Sequence, residues 1–186
     1  MLAYLFWHWP LREAEQEQYE SSLFEFHRSL VDRKPDGFRE SYVFRLKETP
    51  WPSNEGPVYE DWYLVNDFQA LGLLNEGAVS GVSRAPHHGI AQQAEGGAGG
   101  VYRLRAGEPA LSRARQAHWF SKPRGLPYDD FYREIPVPAL KAGGLWERQM
   151  VLGPAAECCL LTIEKIQVPR ALETRLVAVE LAWPDA

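Results

Sequence analysis

Only two cysteines occur in the 186 residues, and they are neighbours, Cys158 and Cys159. Adjacent strand residues point to opposite faces, and a bond between neighbours needs strained geometry. Two cysteines without a CxxC exclude a cysteine zinc set, so free core thiols in a reducing cytoplasm are expected. No apolar run approaches the roughly 18–20 residues of a membrane-crossing helix, and no basic segment followed by a long apolar run marks a signal peptide at the start. Positive charge is also in deficit: 20 Lys and Arg face 25 Asp and Glu, for a net charge of -5. That balance argues against a nucleic-acid partner, which requires a clustered basic face. The densest basic stretch, from Arg103 to Arg124, is broken by Glu108 and apolar residues and reads as a solvated surface. "GGAGG" at 96–100 lacks the GK[ST] of a phosphate loop, and no GxSxG, HExxH or dinucleotide glycine pattern stands in the right setting.

Aromatic residues are plentiful, with seven tryptophans, and 45% of the chain is hydrophobic. "LAYLFWHWP" at 2–10 reads as a strand closed by Pro10. Tyr19, Leu23, Phe26 and Leu30 then fall on one face of a helix over 12–32. "FRESYVFRLK" at 38–47 alternates as a half-buried strand, and "VYEDWYLV" at 58–65 is the next, across the turn-rich "TPWPSNEGP". Asp67 caps a short helix, a second runs from Pro86 to about Glu95, "GGAGG" is a flexible break, and "VYRLRA" at 101–106 is a strand. This order is βαββαβ, the ferredoxin-like pattern.

The second half repeats it in reduced form. "AHWFS" at 117–121 echoes the first strand, and a helix over 127–135 is cut by Pro136 and Pro138. Strands over 145–152 and 157–164 form a hairpin across "GPAA", 168–173 holds one helical turn, and "TRLVAVELAW" at 174–183 is the last strand. The fold class read from this is α+β: two ferredoxin-like units, 1–106 and 116–186, joined by a linker at 107–115, with antiparallel sheets forming a barrel-like core. The sheets pair within the chain or through a homodimer.

In this element order the chain resembles the dimeric α+β barrel proteins, over about residues 2–183. That superfamily includes small monooxygenases and the fused two-unit chlorite dismutase and dye-decolourising peroxidase families. The resemblance implies a ligand cavity between sheets. In the fused haem enzymes it implies iron held by a histidine on a helix of the C-terminal unit. Here the only histidine after residue 115 is His118, on a strand. Haem, with His8, His87, His88 or His118 as axial ligand, is therefore the minor expectation beside a cofactor-free protein.

Candidate chemistry concentrates on a few positions. Tyr4, Phe6 and His8 share one strand face, and His118, Phe120 and Lys122 share the equivalent face. Such groups are costly to bury without partners, so they point to a polar cavity in which His8 acts as acid or base. Along the last strand, Val177, Val179, Leu181 and Trp183 suit helix packing. The opposite face sets Glu180 between Ala178 and Ala182 as a cavity acid. Tyr63 and Asp61 share a face and, with Arg103 or Arg105, complete a polar pocket. "PHHG" at 86–89 sets two histidines about 100° apart on a helix, a poor metal pair, so no metal is expected. The functional expectation is an enzyme or binder of a small hydrophobic molecule. His8 and Glu180 would be catalytic, with Tyr4, Tyr63, Arg103 and His118 binding substrate. The rival is an assembly protein with no cavity.

Overall fold

A computed structural model describes residues 1–51, 57–109, 111–135, 143–151 and 154–184. It is a mixed α+β structure around a closed barrel of eight antiparallel strands. In chain order the elements are β1 (Leu2–Pro10), α1 (Gln16–Arg33), β2 (Phe38–Leu46), β3 (Val58–Val65), α2 (Phe68–Ala78), α3 (Arg84–Ala91) and β4 (Ala94–Gly107). Then follow β5 (Gln116–Phe120), α4 (Tyr128–Glu134), β6 (Gly143–Val151), β7 (Cys158–Thr162) and β8 (Arg175–Trp183). The strand order is β1-β3-β2-β8-β5-β7-β6-β4, and β4 returns to β1. Each half thus presents the same order, β4-β1-β3-β2 and β8-β5-β7-β6. The halves join at two seams, β2 with β8 and β4 with β6. No described helix is long and apolar enough to cross a membrane.

Alternation along the strands sends one side chain set into the barrel and the other outward. Ala3, Leu5 and Trp7 of β1 join Trp62, Trp119, Trp146 and Tyr102 in one buried cluster. Rings from opposite walls meet edge to face, Trp7 on Trp119 at 5.5 Å and Trp62 on Trp146 at 5.2 Å between centroids. An eight-stranded barrel is just wide enough for its own side chains, and here indoles fill it. This corrects the expected location of the cavity: the space enclosed by the strands is packed, and the ligand-sized space lies outside it.

The barrel also corrects the face assignment of β8. Val177 and Val179 point into the barrel rather than toward a helix. The opposite face is therefore outward, and Leu176, Ala178 and Glu180 are exposed. Within the expected linker, β4 runs on to Gly107, and Leu111 and Ala114 are buried against the tryptophan cluster. Cys158 and Cys159 are free and buried on opposite faces of β7.

Local signals explain most elements. The buried face of α1 is Tyr19, Leu23, Phe26 and Leu30, joined by His27. Asp67 accepts a hydrogen bond from the Ala70 amide at 3.0 Å and caps α2. Helix α3 begins two residues before Pro86 and ends at Ala91, earlier than the proline position suggests. The largest difference is "GGAGG", which lies inside β4 rather than between elements. The reason is steric. A Cβ at Gly97 would stand 2.5 Å from the Phe6 ring, and one at Gly96 would stand 2.8 Å from that of Trp9. The glycines let β1 aromatic rings lie across the neighbouring backbone. Pro136 and Pro138, most of the 49–57 connection and part of the "GPAA" turn lie outside the described residues.

Candidate functional site

Helices α1, α2 and α3 cover the outer face of β1, β3 and β4 incompletely. Between them lies a cavity of about 790 Å³, within the roughly 300–1,000 Å³ range of small-molecule sites. Its walls are mainly apolar, with Leu23 and Phe26 from α1, Leu74 and Ala78 from α2, and Ile90 from α3. Its floor is the outward face of the sheet: Tyr4, Phe6 and His8 from β1, and Asp61 and Tyr63 from β3. The rings of Tyr4, Phe6 and His8 stack along β1 with centroids 6.2 and 5.4 Å apart.

Asp61 is the most deeply set polar member of this floor that carries a charge, 2% exposed. Its Oδ1 lies 3.1 Å from His8 Nε2, and its Oδ2 lies 3.3 Å from His27 Nε2. The Tyr63 hydroxyl donates to Oδ2 at 2.7 Å. The far nitrogens of the two imidazoles meet hydroxyls: His8 Nδ1 faces Tyr19 Oη, and His27 Nδ1 faces Ser41 Oγ at 2.9 Å. The register explains the assembly, because Phe6 is opposite Asp61 and Tyr4 is opposite Tyr63 on adjacent strands. His8 therefore leans over β3 beside the carboxylate, while α1 lowers Tyr19 and His27 onto it from above. The contact between His8 Nε2 and Asp61 Oδ1 is close but poorly directed, and neither atom has an aligned hydrogen-bond partner.

The electrostatics follow from burial and pairing. Burial alone would raise the pKa of Asp61, but the facing His8 and His27 outweigh it and hold the carboxyl well below its ordinary range. Tyr63, Tyr19 and Tyr4 are all pushed up, first by burial and then by the negative charge of Asp61. At the wall, burial lowers the pKa of His87, and neighbouring His88 adds to the effect. Asp61, two oriented imidazoles and the hydroxyls of Tyr19, Tyr63 and Ser41 thus form one buried polar cluster. Among the described residues no three His, Cys, Asp or Glu side chains form a metal-holding group.

The structure brings together only part of the set expected from sequence. His8, Tyr4 and Tyr63 converge at the cavity. Glu180 does not: its side chain is 66% exposed and pairs with Arg45 at 3.1 Å, because β8 turns that face to water. Arg103 is exposed on β4 and does not line the cavity. His118 is buried on β5 in the other half, with Nε2 unpartnered. His27, Tyr19 and Ser41 were not expected in the site. His27 lies between Phe26 and Leu30 on the helix face that the sequence already marks as buried, and that was the available signal.

No family model and no curated protein matches the sequence. Among solved structures, one described as "Putative Chlorite dismutase" is similar with a TM-score of 0.52 at 13% sequence identity, covering 97% of this chain and 94% of that one. The likeness is one of fold, and it extends over the whole barrel.

Proposed function

We propose that this protein binds a small, largely apolar molecule in the cavity of its first half, and that His8, set between Asp61 and Tyr19 at the floor, serves that molecule as acid or base. The observation that carries this reading is the pairing of an apolar cavity of about 790 Å³ with buried Asp61 at its floor, flanked there by His8 and hydrogen-bonded by Tyr63, with His27 behind it. Buried polar groups are costly, and here they gather beside the cavity. The repeated strand order supports reading the halves as tandem ferredoxin-like units, 1–106 and 116–186, of the dimeric α+β barrel kind. Free buried thiols suit a reducing cytoplasm.

The proposed binding is tested by filling the cavity. Ala78→Trp places an indole between α2 and the floor. Native mass spectrometry of gently purified protein is expected to release a small molecule from the wild type and none from the variant, with equal circular dichroism. Identical apo masses for both would count against the reading.

The fold resemblance implies haem, but the residues do not fit it. The helix of the second half, α4, carries no histidine, and Phe120, Phe131, Leu160 and Leu172 fill the face it covers. The open cavity of the first half offers His87 at its wall, while His8 at its floor is already engaged by Asp61 and Tyr19. Among the described residues no Lys or Arg lines that cavity to meet the two propionates. Addition of haem is expected to leave the Soret band of free haem unshifted. A sharp shift abolished by His87→Ala would reverse this conclusion.

A further inference from the structure

The cavity has a charge preference that its apolar walls do not by themselves suggest. Among the described residues no Lys or Arg lines it. Among the described residues, Asp61 is the one Asp, Glu, Lys or Arg side chain in its lining, and it is almost fully buried. A charge in such a desolvated setting acts more strongly than in water. Its field reaches the cavity: the three tyrosines nearest the floor all have their ionisation opposed by Asp61. Aromatic rings surround the same space, with Tyr4, Phe6, Tyr63 and Phe26 at the floor and wall and Phe68 at the α2 side. Ring faces attract cations and repel anions.

Resting on the reading of this cavity as a ligand site, we infer that its ligand is an apolar molecule bearing a protonated amine, held over the aromatic floor by the charge of Asp61. The apolar part fills the space between Leu23, Leu74 and Ile90. The ammonium group sits above Tyr4 and Tyr63, close enough to the buried carboxylate to be drawn by it without direct contact. Carboxylates and phosphates of the same size bind more weakly, since among the described residues no Lys or Arg at the floor or wall offers them a compensating positive charge.

Three probes of one shape test this by titration calorimetry at pH 7: 2-naphthylmethylamine, 2-naphthylmethanol and 2-naphthoate. The amine is expected to bind about ten-fold or more tightly than the alcohol, and the carboxylate weakest of the three. Asp61→Asn is expected to bring the amine and the alcohol within about two-fold of each other. If that variant does not fold, the wild-type ranking alone decides. Equal or tighter binding of the alcohol or the naphthoate would overturn the charge preference and leave the cavity reading intact. No binding by any probe would overturn both.

Discussion

Asp61→Ala is expected to cost about 3–5 kcal/mol of stability, the usual result of removing one partner from a buried ionic cluster. Asp61 is 2% exposed, and three groups converge on it: His8, His27 and Tyr63. Without the carboxylate, two imidazoles and a hydroxyl lose their common acceptor inside the protein. For a chain of this length the loss corresponds to a fall in Tm of roughly 6–20 °C. The pH dependence has a definite sign. The carboxyl is held below its ordinary range in the folded protein, so its stabilisation is complete at neutral pH and is lost as the pH falls below that range. Thermal melts from pH 7 down to pH 3 check this: the wild type should approach the variant in acid, and parallel curves would contradict the account.

The second large effect comes from the neighbouring residue on the opposite face of β3. Glu60 is wholly buried inside the barrel, where Trp7 Nε1 and Trp62 Nε1 each donate to its carboxylate at 2.6 Å. Burial pushes its pKa from 4.5 up to about 7, against the pull of the two indoles and with a further push from Asp61. Here the sign is opposite to that of Asp61. A raised carboxyl contributes stability that is present in acid and lost as the pH rises from about 4.5 to about 7. A shift of this size corresponds to about 3 kcal/mol. Glu60→Gln removes the titration but leaves one indole N–H facing an amide N–H, a fixed cost at every pH. The stability difference between wild type and Glu60→Gln should therefore change by about 3 kcal/mol between pH 4 and pH 8 in favour of the variant. Urea unfolding at both values measures it, and a difference that does not move with pH would show that Glu60 does not titrate in this window.

These two carboxylates explain why the site was only half legible in the sequence. Strand alternation correctly paired Asp61 with Tyr63 and Tyr4 with His8, because period-two patterning is local. It could not say which face turned inward. In β8 the apolar side reads locally as a helix contact, which makes Glu180 a cavity acid. Barrel closure, a contact between residues far apart in sequence, reversed that assignment. Likewise nothing local announces that α1 sets His27 and Tyr19 over Asp61. The glycines of "GGAGG" were misread for a related reason: their need for space comes from Phe6 and Trp9, some ninety residues earlier in the chain. The element order, by contrast, was largely readable, since caps, prolines and periodicity act within a few residues.

The open cavity lies outside the barrel, under α1, α2 and α3, while the barrel itself is packed with indoles. Diffraction from a crystal pressurised with xenon, which enters apolar cavities whatever their natural ligand, tests it most directly. Xenon is expected between Leu23, Leu74 and Ile90, above Phe6, with none among Trp7, Trp62, Trp119 and Trp146. Xenon among those tryptophans, or no xenon under the three helices, would contradict the account.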